Sequence, residues 1–198
     1  MRLADRLTLS RIILAPVFFV LYMLPLWFPL HFEGSAIWIV PLLWLIFIIA
    51  EFTDMFDGMA ARHLNETSDF GKLFDPFADS LLQVTIFLCF VIDGIFPATL
   101  FLVVLYREFS ILFVRNLMLK KGISMGARMG GKIKTTTYIA AAAVALLYAS
   151  LRRLSVAEVV QPALWIAALA VFGVSVVFSV LSFLDYITVY RAAEKDPS

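Results

Sequence analysis

The sequence predicts an all-α integral membrane protein, a single helical bundle that crosses the bilayer six times. Three observations carry this expectation. Of its 198 residues, 62% are hydrophobic, well above the roughly 45–50% typical of soluble domains, and a water-soluble core of this size has no room for the surplus. The apolar residues fall in long runs of bilayer length. Most of the charged residues stand between those runs. A net charge of only +1 supplies no field that would gather nucleic acid, so lipid is the expected surrounding.

Six segments qualify as spans: Ser10–Pro29, Ala36–Met59, Leu73–Phe96, Leu100–Leu119, Thr135–Ser150 and Ala163–Val189. The fifth is short. The sixth exceeds one crossing, which implies tilt or projection past the membrane. No repeat, low-complexity tract or linker divides residues 1–198, so one membrane domain is expected. Arg2 and Arg6 precede an apolar stretch long enough to span, and no small-x-small site follows it. A retained helix is therefore expected in place of a cleaved signal peptide. Met1–Leu9 alternates charged and apolar residues, as a short interfacial helix would.

Lysine and arginine set the orientation. Arg2, Arg6 and Arg11, then Arg62 and Lys72, then Lys120, Lys121, Arg128, Lys132 and Lys134, then Arg191 and Lys195 all fall on one side of a six-span chain. The opposite loops carry only Arg152 and Arg153. Both termini are thus expected in the cytoplasm, with the protein multi-pass in the cytoplasmic membrane. A lone cysteine, Cys89, sits in an apolar run and reads as a buried hydrophobe. With one cysteine and two distant histidines, His31 and His63, a structural zinc site is not expected.

The chemistry gathers at the junction of the second and third segments. Asp54 and Asp57 are spaced i, i+3, and Asp75 and Asp79 are spaced i, i+4, so each pair shares one helix face. The short stretch His63–Phe70 makes the two helices antiparallel neighbours and brings the pairs together near the cytoplasmic boundary. An isolated carboxylate at mid-membrane costs about 2.5 kcal/mol on insertion scales. Four together cannot all stay ionised without a compensating cation. Oxygen-only ligands favour a hard ion, most simply Mg²⁺, with Mn²⁺ or Ca²⁺ as alternatives. Two ions about 3.5–4 Å apart would suit phosphoryl chemistry. Gly58 and Gly71 permit close backbone approach, either to a nucleotide or between helices. Arg62 is placed to meet a phosphate or a neighbouring carboxylate. Loop charges at ordinary helix ends are the bland alternative, and paired helical register argues against it.

The run Asp54-x-x-Asp57-Gly58-x-x-Ala61-Arg62, eight residues, then Gly71-x-x-x-Asp75-x-x-x-Asp79 resembles the CDP-alcohol phosphotransferase signature at every fixed position. The resemblance implies that Asp54, Asp57 and Asp75 ligate the metals, with Asp79 also in the metal site. It further implies that Asp79 is the base that takes the acceptor hydroxyl proton. Gly58, Ala61, Arg62 and Gly71 are implied to line the CDP pocket together with Asp57. Thr8 and Arg11 are candidates for nucleotide contact, with a solvated amphipathic entry as the alternative. Homodimerisation is what the family implies.

Within that family, Leu7-Thr8-x-x-Arg11 with Pro16, Arg107-Glu108, Arg115, Gly122 and Gly131-Lys132-Ile-Lys134-Thr135 resemble the branch that joins CDP-diacylglycerol to glycerol 3-phosphate. Ser80 departs from that branch, which usually has lysine there. Arg107, Arg115, Lys132 and Lys134 are expected to form a pocket for a phosphorylated acceptor. Pairing of Arg107 with Glu108 or with the aspartates is the structural alternative, and Lys120, Lys121 and Arg128 read as lipid-headgroup charges. Other acceptors or donors stay in view, namely inositol phosphate, or CDP-choline and CDP-ethanolamine with diacylglycerol. A cation or proton transporter would spread its acidic residues through the bilayer, whereas these crowd at one boundary.

Overall fold

The computed structural model describes the backbone of residues 3–32, 34–64, 69–120 and 129–195; the side chains described are those of 8–32, 34–53, 74–119 and 129–191. The described residues form six long helices: α1 (Leu3–Trp27), α2 (Ala36–Leu64), α3 (Asp69–Ile92), α4 (Ala98–Lys120), α5 (Met129–Arg153) and α6 (Gln161–Lys195). A single 3₁₀ turn, Glu158–Val160, leads into α6. No strand occurs among the described residues.

Among the described residues five stretches are long and apolar enough to cross a membrane: Thr8–Trp27, Ala36–Thr53, Phe74–Ile92, Met129–Arg153 and Glu158–Arg191. The fourth expected span, in α4, is not among them, because its middle turns carry Arg107, Glu108 and Arg115. Those charges turn inward. Arg107 and Glu108 are buried, while Tyr106, Phe109 and Phe113 on the other side of α4 are exposed. α1 runs unbroken from Leu3, so Leu3–Leu9 forms its opening turns. α5 begins at Met129, six positions before the apolar run at Thr135, and so carries Lys132 and Lys134 on its first turns. Pro76 lies within α3, one residue after Asp75.

Packing explains the arrangement. α5 lies along α6, and α1 lies against both α2 and α3. The α5 face turned inward is built from Ala141, Ala142, Ala145 and Ala149, all essentially inaccessible, and such small residues let helix backbones approach closely in lipid. Aromatic rings fill the centre. Phe96 stacks on Phe172 with centroids 4.0 Å apart, and Phe87 meets the edges of Tyr138 and Phe172 at 5.1 Å. This ties α3, α5 and α6 into one core. Cys89 is a free, buried thiol within it. Large apolar residues such as Leu30, Ile37, Trp38 and Val159 remain exposed, as a lipid-facing surface requires.

The helix ends away from the aspartates are locked by charge. Tyr22 Oη donates to Asp93 Oδ2 at 2.7 Å, Arg152 pairs with Asp93 Oδ1, and Arg153 stands 3.7 Å from Asp93 Oδ2 and 4.0 Å from the Tyr22 ring. Arg153 also donates to the Tyr22 carbonyl at 3.1 Å. Arg152 and Arg153, expected as loop charges, are instead the last turn of α5.

Candidate functional site

Two helices supply the first part of the site. Asp75 and Asp79 sit one turn apart on α3, their side chains 39% and 42% exposed. Facing them, Thr8 and Arg11 are spaced i, i+3 on α1, and both are buried. Thr8 Oγ1 donates to Asp75 Oδ1. The Arg11 guanidinium donates to Asp79 Oδ1 and lies 3.6 Å from Asp75 Oδ1. A guanidinium presents its donors in a rigid fork, so one arginine can orient two carboxylates at once. Arg11 is thus the counter-ion of the α3 pair.

Asp54, Asp57, Gly58, Ala61 and Arg62 lie on the backbone of α2, and Gly71 on that of α3, while their side-chain surroundings lie outside the described residues. Among the described residues no cluster of three or more acidic, histidine or cysteine side chains stands ready to hold a metal. α2 and α3 meet where Gln83 Nε2 donates to Glu51 Oε1 at 3.0 Å, one turn deeper than Asp54 and Asp79. Asp75 and Asp79 offer only oxygen donors, partly exposed, and among the described residues Arg11 is paired with both. That donor chemistry fits a hard divalent cation.

Beside Asp79 opens a cavity of about 570 Å³, with walls from all six helices. Asp79, Arg107, Arg115, Lys132 and Lys134, picked out separately along the chain, all line it. Five cationic and three acidic side chains contribute, so its charge is net positive and suits a phosphorylated guest.

A buried hub organises the cationic wall. Glu108 Oε1 accepts from Arg107 at 3.0 Å and from Lys134 at 2.9 Å, and Glu108 Oε2 accepts from Ser80 Oγ at 2.9 Å. Arg107 also donates through Nε to the Ser179 carbonyl at 3.1 Å and through a terminal nitrogen to Ser182 Oγ at 3.3 Å. Tyr138 Oη donates to Ser179 Oγ at 2.6 Å, and the Lys134 ammonium lies 4.4 Å from the Tyr138 ring centre. The pairing of Arg107 with Glu108 is therefore real, and Arg107 lines the cavity as well. The Lys134 ammonium has three N–H donors and one described hydrogen-bond partner.

The partners of two groups named from sequence were not legible there. Arg11 shares a face with Thr8, which was visible, but its carboxylate partner lies 68 positions away. Glu108 was read only as a pairing option for Arg107, because adjacent helical residues do not normally face each other.

The model of the CDP-alcohol phosphatidyltransferase family matches residues 1–181. The chain is similar to the CDP-diacylglycerol--glycerol-3-phosphate 3-phosphatidyltransferase of Treponema pallidum, 37% identical over 96% of this chain and 89% of the relative. The Bacillus subtilis protein of the same name is 34% identical over 93% and 92% of the two chains. That of Escherichia coli is 33% identical over 94% and 93%.

Proposed function

The chain belongs to the CDP-alcohol phosphatidyltransferase family, and from that premise we propose that it transfers the phosphatidyl group of CDP-diacylglycerol to glycerol 3-phosphate, giving phosphatidylglycerophosphate and CMP. One observation carries the acceptor assignment. A carboxylate placed to take a proton, Asp79, and the cationic set Arg115, Lys132 and Lys134 line one cavity.

The acceptor phosphate lies against Lys132, Lys134 and Arg115, with Arg107 and Glu108 fixing the wall behind them. Asp79 receives the proton of the attacking hydroxyl, and Arg11 holds that carboxylate in place. The freed oxygen bonds to the phosphorus bearing diacylglycerol as the bond to CMP breaks, and CMP leaves with the electron pair. A single in-line step inverts the configuration at phosphorus, and positioning supplies much of the rate. Gly58, Ala61, Arg62 and Gly71, with Asp57 and Thr8, form the CDP pocket. Two Mg²⁺ ions, with Mn²⁺ as substitute, held by Asp54, Asp57, Asp75 and Asp79 would neutralise the donor diphosphate and the leaving group. α4 completes six crossings, its charges turned to the cavity, and both termini are cytoplasmic with the site on that side. The protein acts as a homodimer in the cytoplasmic membrane.

The test is CMP release by purified protein in lipid nanodiscs. Turnover is expected with CDP-diacylglycerol, glycerol 3-phosphate and Mg²⁺ together, and not when any one is left out. Turnover with inositol phosphate, or with CDP-choline and diacylglycerol, in place of these substrates would refute the assignment. So would cation flux across vesicles without CMP release from any CDP-lipid.

A further inference from the structure

Asp79 and Gln83 stand one helical turn apart on α3, on the same face, and both line the cavity. Gln83 is only 8% exposed. Its amide nitrogen donates to Glu51 Oε1 at 3.0 Å, and its carbonyl oxygen is buried with no hydrogen-bond partner among the described residues. The orientation of the amide is forced. Were the group turned over, its carbonyl would face the Glu51 carboxylate, oxygen against oxygen. Glu51 therefore fixes a bare acceptor atom on a residue that lines the cavity, and a buried carbonyl left without a donor is costly.

We infer that Gln83, held by Glu51, is a hydroxyl-recognising subsite that takes the non-reacting hydroxyl of the alcohol acceptor next to the one deprotonated by Asp79. The inference rests on the proposed reaction and adds to it what distinguishes the acceptor's carbon chain. Helical residues four apart have Cβ atoms about 5–6 Å apart, so an aspartate and a longer glutamine on such positions converge on neighbouring oxygens. A vicinal diol offers that pair. One hydroxyl gives its proton to Asp79 while the other donates a hydrogen bond to Gln83 Oε1. The phosphate at the far end of the acceptor then meets Lys132 and Lys134, across the cavity on α5. Acceptors lacking the second hydroxyl leave the Gln83 carbonyl bare and are discriminated against.

Two acceptors test this in nanodisc-embedded protein with saturating CDP-diacylglycerol. Glycerol 3-phosphate carries the middle hydroxyl, and 3-hydroxypropyl phosphate lacks it but is otherwise the same. The wild-type kcat/KM should favour glycerol 3-phosphate by about tenfold or more. Gln83→Met should bring the ratio within about twofold of one, by lowering kcat/KM for glycerol 3-phosphate and leaving 3-hydroxypropyl phosphate unchanged. Because that change strands the Glu51 carboxylate, Glu51→Met/Gln83→Met removes both polar partners and should give the same flat ratio. A wild-type ratio near one, or a preference that survives in both variants, overturns the inference and leaves the proposed reaction standing. CMP release with neither phosphorylated acceptor, but with some other alcohol, overturns both.

Discussion

Replacing Glu108 by alanine should do more damage than its modest place in the sequence suggests. Its carboxylate is 3% exposed and accepts from Arg107, Lys134 and Ser80. Both cationic partners are themselves largely buried, at 6% and 13% exposure, so solvent takes over only part of the lost interaction. Removing one partner of a buried ion pair costs about 3–5 kcal/mol, and here two cations lose it together. Water entering the adjoining cavity offsets part of this, so about 3 kcal/mol is the expected net loss. For a chain of this size each kcal/mol lowers Tm by about 2–4 °C, giving a fall of about 6–12 °C. Thermal unfolding in one detergent, followed by tryptophan fluorescence, reads this directly. The double variant Glu108→Ala/Lys134→Met should recover at least half the loss, because one orphaned charge is removed with its partner. A Tm within 2 °C of wild type for Glu108→Ala, or a double variant no better than the single, would refute the hub.

Asp79→Asn should lower kcat by about 10²–10⁴-fold with little change in the KM for CDP-diacylglycerol, since a proton acceptor is lost and the shape is kept; steady-state CMP release measures both. Asp54→Ala and Asp57→Ala should each abolish turnover and also abolish metal-dependent protection from thermal unfolding, and wild-type rates with Mg²⁺ in excess would contradict the site. Lys132→Ala should raise the KM for glycerol 3-phosphate about tenfold or more with kcat held, the mark of a binding contact. Asp93→Ala, at the opposite end of the bundle, should cost about 2 kcal/mol of stability, less than a fully buried pair, because Arg152 is 37% exposed and can turn to water. It should leave KM for both substrates unchanged.

What was legible in the sequence is what depends on local geometry. Helical spacing alone places Asp75 and Asp79 on one face, and apolar length alone finds α1, α2, α3, α5 and α6. The rest depends on contacts between distant segments. Hydropathy ends a span at the first charges, so Lys132 and Lys134 were set outside the fifth segment, while the backbone continues through them because Lys134 has Glu108 to meet. Arg153 read as a loop charge, and Asp93 fell inside the third expected span with no partner assigned; the packing of α1, α3 and α5 brings both side chains together around Tyr22. The expectation that α2 and α3 are antiparallel neighbours meets only a side-chain hydrogen bond between Glu51 and Gln83; among the described residues it is α1 that packs against both helices. No spacing rule within α2 and α3 points to α1 as the source of the arginine on Asp79.

The buried alanine face of α5 has a consequence for how such a site changes over evolutionary time. Lys132 and Lys134 ride on a helix whose depth and tilt are set by methyl groups two to four turns away, at Ala141, Ala142, Ala145 and Ala149. A methyl has no rotamers with which to absorb a neighbour's growth, so a bulkier residue there displaces the whole rod. The spacing between the proton-accepting carboxylate and the ammonium groups is therefore inherited from apolar contacts. A lineage adapting to a longer or shorter alcohol can shift that spacing without touching a single charge.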